Sequence, residues 1–209
     1  MSSSAGSILI ITAPSGAGKT SLVRSLIEAR DHIRLSVSFT TRAPRDGERD
    51  GEDYFFVTQA DFLARRDAGE FMEWAEVHGN YYGTSRLWLD EQIQAGEDIV
   101  LEIDWQGAAQ AQARYPDAVT IFIAPPSIET LKERLQSRGK DSAATIERRL
   151  AAARSELAHA GQFQYIIVNQ DFNKASQQLI GIADAARCRF GQQAASLPQL
   201  FHALGMTPA

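Results

Sequence analysis

With 209 residues, of which 44% are hydrophobic, the chain can bury a core and is short enough for one domain. Its formal net charge of −5 argues against broad electrostatic binding to nucleic acid or anionic lipid, which both ask for a basic surface. Cys188 is the only cysteine, which excludes an intrachain disulfide. No signal peptide or membrane span is predicted from the N-terminus. We therefore expect a cytoplasmic protein without nucleic-acid or membrane partners.

The first predicted strand, at residues 7–12, runs directly into a glycine-rich turn that reads APSGAGKTS. Its glycines allow a tight curl that turns backbone N–H groups inward, and the positive end of the following helix, predicted at 21–29, faces the same point. A polyphosphate is held in this way, with Lys19 reaching the terminal phosphates and the Thr20 hydroxyl holding Mg²⁺. The predicted residues for nucleoside triphosphate binding are Ala13, Pro14, Ser15, Gly16, Ala17, Gly18, Lys19, Thr20 and Ser21.

One position of this loop departs from the GxxxxGKS/T pattern. Ala13 stands where the pattern has its first glycine. Because the β-carbon of alanine disfavours positive φ, either the backbone at Ala13 keeps an ordinary conformation or the phosphate cradle is slightly altered.

After a second short strand predicted at 35–39, the chain changes character. The next segments are a loop rich in Pro, Gly and charge, a β-prone run, a helix capped by Thr58 and the two arms of a hairpin. They are predicted at 40–53, 54–57, 58–68, 71–77 and 79–83. We expect these segments to form an inserted β-rich lobe at about 38–84.

From residue 85 onward, helical and strand patterns alternate. Helices are predicted at 85–94, 106–114, 127–137, 145–159 and 172–189, and strands at 99–104, 119–124 and 165–169. Strands that are apolar on both faces and alternate with helices predict an α/β fold with a parallel sheet flanked by helices.

The chain is therefore predicted to be one domain with three parts and a tail. The core comprises about 7–37, 85–136 and 160–190, the lobe about 38–84, and a lid about 137–159. The tail at 191–209 contains two prolines and scattered Leu and Phe. It admits two interpretations, a loose tail or a strip that packs against a second subunit in a homo-oligomer.

Two arginines and two tyrosines in the lobe suggest a phosphate clamp. Arg42 and Arg45 are three residues apart in a loop, and Tyr54 and Tyr82 follow. Guanidinium forks and phenol hydroxyls can grip a phosphate together. The alternative is a solvated basic loop with aromatic packing.

Glu73 lies on a predicted strand near Tyr82 and Thr84. A carboxylate there can accept the ring N–H and the exocyclic amino group of guanine in a fork, whereas adenine presents an acceptor at the matching position. Taken alone, Glu73 would more simply be an exposed strand residue. With its neighbours, it predicts a pocket that reads guanine.

Together these segments resemble guanylate kinase, and the bacterial members of that family most closely. The resemblance covers almost the whole chain and extends to IFIAPPS at 121–127, SRGKDS at 137–142, IERRL at 146–150 and YIIVN at 165–169. It implies the P-loop nucleoside monophosphate kinase fold, with a GMP-binding lobe and a helical lid. It also implies Mg²⁺-dependent transfer of the γ-phosphoryl group of ATP to GMP and to dGMP.

The resemblance also implies site residues. The GMP-binding set is Ser38, Arg42, Arg45, Tyr54, Glu73, Tyr82, Thr84 and Glu102. Glu102 belongs to an EID run where the family commonly has DID, and its longer side chain is expected to shift a contact to the nucleotide or its waters. Asp104, at the end of a predicted central strand, is then the candidate to share Mg²⁺ with Thr20.

The chemistry asks for cations rather than a general base, because the acceptor oxygen of a nucleoside monophosphate is already ionised. Lys19, Arg138 and Arg149 are the predicted catalytic residues, with the two arginines arriving from the lid. Arg134, one turn before Arg138, is predicted to lie against the adenine face.

Two alternatives remain at the level of sequence. A related kinase could phosphorylate another phosphate ester, such as a ribose bisphosphate, without needing Glu73 or Thr84 to read a base. A scaffold module of the guanylate-kinase-like type would bind phosphorylated peptides, although such modules have usually lost the phosphate-loop chemistry.

Overall fold

The computed structural model describes residues 6–77, 79–137 and 142–207. The strands, in chain order, are β1 (Ile8–Thr12), β2 (Ile33–Leu35), β3 (Phe39–Thr40), β4 (Phe55–Phe56), β5 (Phe71–Val77), β6 (Asn80–Ser85), β7 (Asp98–Glu102), β8 (Val119–Ala124) and β9 (Tyr165–Val168). The helices are α1 (Lys19–Ala29), α2 (Gln59–Asp67), α3 (Arg86–Gln94), α4 (Trp105–Arg114), α5 (Ile128–Ser137), α6 (Ala143–Leu157), α7 (Phe172–Arg187), α8 (Phe190–Ser196) and α9 (Pro198–Ala203). A short 3-10 turn at Ala160–Gln162 follows α6.

The central sheet is parallel throughout and has the order β2-β7-β1-β8-β9. Its middle strand β1 is buried at all five positions, which explains its continuous apolar sequence. Leu9 and Ile11 pack in the cluster that contains α1 and α7. Ile8 and Ile10 pack on the other face, with α3 and α4. Full burial of each such side chain contributes about 1.5–3 kcal/mol.

A second sheet, in the order β4-β3-β6-β5, lies outside this core sheet. Its strands β5 and β6 are antiparallel, as the hairpin prediction requires. Phe62 of α2 is fully buried beneath the sheet, and its ring stacks on Phe71 and Tyr81 at centroid distances of 4.5 and 5.5 Å. The aromatic contacts hold α2 against the sheet.

The strand predicted at 35–39 is wrong as a single element. The chain leaves the central sheet at Ser36, whose N–H donates to the Val100 carbonyl at 2.9 Å. It has joined the second sheet by Ser38, whose carbonyl accepts from Phe55 N at 2.9 Å. One β-prone run thus contributes residues to two different sheets. The spacing of apolar residues alone does not show where the chain leaves one sheet and joins the other.

Several helices begin directly after a side-chain cap. Thr58 accepts from Asp61 N as predicted, and the predicted helix at 58–68 is confirmed as α2. Ser85, Asp104, Ser142 and Asp171 cap α3, α4, α6 and α7 in the same way. The strand predicted at 99–104 therefore ends earlier, at Glu102, since Asp104 already belongs to the start of α4.

The tail forms two short helices, α8 and α9, rather than a loose segment over its described part. The rings of Phe190 and Phe201 meet edge to face at 5.3 Å and hold the two helices together. Within the described ranges, no helix combines the length and apolar character needed to cross a membrane.

Candidate active site

The turn after β1, the second sheet and α6 surround one cleft of about 420 Å³. Many of the residues predicted for nucleotide binding or catalysis line it. These are Ala13, Pro14, Ser15, Gly16, Gly18, Lys19, Thr20, Ser21, Ser38, Arg45, Tyr54, Glu73, Tyr82, Glu102, Asp104 and Arg149. Ala17, Arg42, Thr84 and Arg134 are not part of the lining, and Arg138 lies outside the described residues.

The glycine-rich turn has the backbone shape that its sequence predicts. Gly16 and Gly18 adopt positive φ values of 95° and 97°, which favour glycine. A β-carbon at Gly18 would also lie 2.3 Å from Asn169 Nδ2. Helix α1 begins at Lys19 directly after this turn, so its N-terminal dipole points toward the loop.

Two side chains from later in the chain brace this phosphate loop. Asn169, immediately after β9, donates through Nδ2 to the Ala17 carbonyl at 2.8 Å. Arg134 of α5 donates through Nη2 to the Asn169 carbonyl at 2.9 Å. Arg134 thus supports the loop through Asn169 and through a longer bond from Nη1 to the Ala17 carbonyl, at 3.5 Å, while its predicted contact with adenine stays a prediction.

Lys19 is surrounded by carboxylates. Burial lowers the pKa of its ammonium, while nearby negative charges act in the opposite direction, from Glu102, Glu156 and Asp104. Glu156 lies seven residues after Arg149 on α6, and both side chains line the cleft. Burial, followed by the charge of Asp104, raises the pKa of Glu156 to about 7, against the pull of Lys19.

Glu102 and Asp104 have different surroundings. Thr20 Oγ1 donates to Glu102 Oε2 at 3.4 Å, whereas Asp104 Oδ1 accepts from Gly107 N at 2.8 Å and caps α4. Within the described residues, Glu102 Oε1 is buried and has no hydrogen-bond partner. Glu102, predicted for GMP, is therefore the carboxylate bonded to the hydroxyl predicted for Mg²⁺.

Glu73 occupies a closely packed position on β5. It is 4% exposed, and Oε1 accepts a hydrogen bond from the fully buried Thr84 hydroxyl at 2.7 Å. A β-carbon at Gly107 of α4 would lie 2.9 Å from Oε2, so only glycine leaves room there. Burial raises the pKa of Glu73 to about 7, helped by the charge of Asp104 and opposed by the Thr84 hydrogen bond.

The predicted phosphate clamp is assembled around Tyr54. The rings of Tyr54 and Tyr82 lie 6.0 Å apart, and the Arg42 guanidinium lies 5.4 Å from the Tyr54 centroid. Arg42 Nη2 donates to both carboxylate oxygens of Glu48, at 2.9 and 3.0 Å. Arg45 lines the cleft directly.

Helix α6 lies in the segment predicted as a lid and carries Arg149, one of its two predicted catalytic arginines. It packs on α5 through a separate apolar cluster that includes Leu131, Leu135, Ile146 and Leu150. Arg149, Ala152 and Glu156 lie along the face of α6 that lines the cleft. A guanidinium and a carboxylate on one face of α6 therefore line the same cleft as the phosphate loop.

Comparison with known proteins shows to which family this chain belongs. The family model described as guanylate kinase matches residues 5–186. The chain belongs to the guanylate kinase family. The guanylate kinase of Bordetella pertussis is 53% identical to it over 209 residues, which are 100% of this chain and 97% of that protein. The guanylate kinase of Aromatoleum aromaticum is 56% identical over 188 residues, 90% of this chain and 92% of that protein.

A solved structure supports the same membership. The crystal structure of guanylate kinase from Anaplasma phagocytophilum superimposes with a TM-score of 0.78 at 34% identity, covering 98% of each chain. The predicted resemblance and the predicted P-loop kinase fold are thereby confirmed for this guanylate kinase family member.

Sequence reasoning did not single out three side chains of this guanylate kinase family member. They are Glu48, Glu156 and Asn169. Asn169 ends the YIIVN run, and its place after a parallel strand was an available signal. Glu156 shares a helical face with Arg149 at a spacing of seven, which was equally readable. No such spacing marks Glu48, because it lies in a loop, where side chains do not repeat at a regular interval.

Proposed function

We propose that this protein transfers the γ-phosphoryl group of ATP to GMP, giving ADP and GDP. The observation that carries the proposal is that Glu73, hydrogen-bonded to Thr84, lines the same cleft as the phosphate loop. The curated relatives named guanylate kinase, at 53% and 56% identity, support the same reaction.

Guanine is the base that suits Glu73. An ionised carboxylate accepts two adjacent donors in a fork, and guanine offers them as its ring N–H and amino group. Because Glu73 is 4% exposed, a base that leaves it unpaired strands a buried charge. Ser38 lines the same cleft and stands nearest to this base in the proposed assignment.

The acceptor phosphate would bind at the aromatic end of the second sheet. Arg45, Tyr54 and Tyr82 line the cleft there, and Arg42 lies over the Tyr54 ring. Two guanidinium groups and two phenols supply donors for a phosphate dianion without a basic surface elsewhere.

ATP would bind in the phosphate loop, with Lys19 on its terminal phosphates. The orphaned Glu102 Oε1 beside Thr20 fits hydrated Mg²⁺, which usually takes one or two protein ligands together with phosphate oxygens. Thr20 and Glu102 would hold the ion, and Asp104, which lines the same cleft, would contribute to holding it. When bound, Mg²⁺ would supply positive charge that offsets the negative charge developing during transfer.

The protein's own contribution to the transfer is alignment and positive charge. Lys19 of α1 and Arg149 of α6 both line the cleft. Negative charge spread over the transferring group is stabilised best by cations that are already in place. Arg138 is assigned the same role from its sequence position, outside the described residues.

Substrate choice tests the proposal. ADP production would be measured with Mg²⁺-ATP and a panel of GMP, dGMP, AMP, UMP and a ribose bisphosphate. We expect turnover with GMP and dGMP only, which would also place the enzyme in guanine nucleotide synthesis and recycling. Turnover of ribose bisphosphate would favour the related kinase. Binding of GMP or a phosphopeptide without ADP production would favour a scaffold module.

A further inference from the structure

The loop between Arg42 and Glu48 is closed by one carboxylate. Glu48 accepts two bonds from Arg42 Nη2, at 2.9 and 3.0 Å, and Glu48 Oε2 also accepts from the backbone N–H of Arg45 at 2.7 Å. The side chains of Arg42 and Glu48 are only 14% and 20% exposed. A single side chain therefore ties together both arginines of the proposed phosphate clamp.

The backbone reinforces this arrangement. Glu48 N donates to the Arg45 carbonyl at 3.0 Å, which closes a four-residue turn. Gly47, at the third position of that turn, has a φ of 87°, as a type II turn requires. The turn returns Glu48 to the guanidinium of Arg42, so the carboxylate position is set by local geometry.

Arg42 is held by several contacts, which include a side-chain interaction with Tyr82. Its Nη1 donates to the Ala43 carbonyl at 2.8 Å, and its Nη2 donates to Glu48. Its Nε takes no part in these bonds. The guanidinium plane is also fixed against the rings of Tyr54 and Phe56, at 5.4 and 6.0 Å from their centroids.

We propose that Glu48 is a positioning residue that fixes Arg42 and Arg45 in the geometry that binds the phosphate of GMP. The inference rests on the proposed phosphate clamp. It requires no contact between Glu48 and GMP, and it predicts that losing Glu48 weakens GMP binding although a negative charge has been removed. If Glu48 merely neutralised Arg42, the same loss would strengthen GMP binding by raising the local positive potential.

Glu48→Ala and Glu48→Gln test the proposal, with Glu70→Gln as the matched control. Glu70 forms a comparable ion pair with Arg65 at 2.7 Å in the same part of the chain, away from the cleft lining. Binding of GMP and of guanosine, which has no phosphate, would be measured by calorimetry. Michaelis constants for GMP and ATP would be measured alongside.

We expect Glu48→Ala to weaken GMP binding by about 10- to 100-fold, the usual effect of losing charge-assisted hydrogen bonds, with guanosine and ATP unaffected. Glu48→Gln keeps one oxygen, so about a 3- to 10-fold loss is expected. Glu70→Gln should leave all three ligands within about twofold. Unchanged or tighter GMP binding overturns the proposal, and so does an equal loss for guanosine.

Arg42→Ala separates this proposal from the site on which it rests. If Arg42→Ala leaves GMP binding unchanged, the phosphate clamp itself is misassigned and the positioning proposal falls with it. If Arg42→Ala weakens GMP binding but both Glu48 variants do not, only the role of Glu48 is overturned. In an Arg42→Ala background, Glu48→Ala should add less than its effect alone, because its main partner is gone.

Discussion

The hydroxyl of Thr84 donates a hydrogen bond of 2.7 Å to Glu73 Oε1 between two antiparallel strands, at a paired position of β5 and β6. The bond uses part of one carboxylate oxygen and leaves further lone pairs for a ligand. Glu73 is thereby oriented at the bottom of the cleft before any base arrives, so little orientational freedom is lost on binding.

Glu73→Gln should reduce kcat/KM for GMP by about 10²–10⁴, because an amide presents a donor to guanine where a carboxylate accepts. The Michaelis constant for ATP should change little. Glu76→Gln is the matched control, since Glu76 lies on the same strand but is exposed. Steady-state kinetics with each nucleotide varied in turn would make the comparison. Equal losses toward ATP and GMP would contradict the assignment of Glu73 to the base.

Guanosine binding should depend on pH through Glu73, whose pKa is raised to about 7 by burial. Only the ionised carboxylate accepts both guanine donors, so affinity should be about tenfold lower at pH 6 than at pH 8. Guanosine is the useful probe because the phosphate of GMP titrates near pH 6 itself. Calorimetry on the natural protein and on Glu73→Gln would test this prediction. If the pH dependence of guanosine affinity persists in the variant, it arises from another group.

The titration of Glu73 should also affect the stability of the folded protein. Because the pKa of Glu73 is higher in the folded protein than in the unfolded chain, the folded state holds more protons between about pH 4.5 and 7. Its contribution to the free energy of unfolding therefore falls as pH rises through that window. Thermal unfolding of Glu73→Gln should show a smaller loss of Tm from pH 5 to pH 7 than the natural protein shows.

Gly107→Ala should damage GMP binding without reaching the nucleotide. The new β-carbon would lie 2.9 Å from Glu73 Oε2 and 3.3 Å from Ile103 Cβ, which forces the carboxylate to move. A loss of about tenfold in GMP affinity is expected for a displaced charged partner. Gly181→Ala in α7 is the control, because nothing lies within 4 Å of its added carbon. That control should instead raise the free energy of unfolding by about 0.5–1 kcal/mol.

Asn169→Ala should affect the use of ATP selectively. The Ala17 carbonyl would lose its 2.8 Å bond from Asn169 and would keep the longer, 3.5 Å bond from Arg134 Nη1. We expect the Michaelis constant for ATP to rise about tenfold, with that for GMP nearly unchanged. Asn173→Ala, at an exposed position of α7, provides the comparison. Similar effects of both substitutions would argue against a role of the Asn169 hydrogen bond in holding the phosphate loop.

Binding of both substrates should compact the molecule. The cleft is lined by the phosphate loop, the second sheet and α6, so ligands that contact all three draw them together. Closure also keeps water from the γ-phosphate. Small-angle scattering should show a smaller radius of gyration with GMP and a non-hydrolysable ATP analogue together than with either alone. Identical dimensions in all states would refute the closure.

The glycine-rich turn and the cap at Thr58 were readable because each depends on a local pattern. Gly16, Gly18 and Thr58 act within three or four residues of their partners, so sequence spacing specifies their geometry. The cap formed by Asp104 was also local, yet the predicted strand ran through it. The strand-like stretch at 99–103, apolar except for Glu102, leads directly into Asp104, and no turn residue marks the start of α4.

Long-range relationships were less accessible. Ser36 to Ser38 form the crossing between two sheets, and their sequence suits either one. Glu102 and Asp104 are two residues apart, and their separation into a partner of Thr20 and a helix cap depends on where β7 ends. Contacts with residues distant in the chain decide where such elements begin and end. The spacing of residues in a single sequence does not reveal those contacts.

The bond from Asn169 to Ala17 spans 152 positions of the chain and has a consequence for biosynthesis. Residues are added from the N-terminus at about 5–20 per second, so Asn169 is made about 8–30 s after Ala17. Strand β9, which carries Asn169 to the loop, is the last strand of the central sheet in chain order. A growing polypeptide thus carries its phosphate loop unbraced for most of translation, and a prematurely terminated product that lacks β9 should fail to retain ATP.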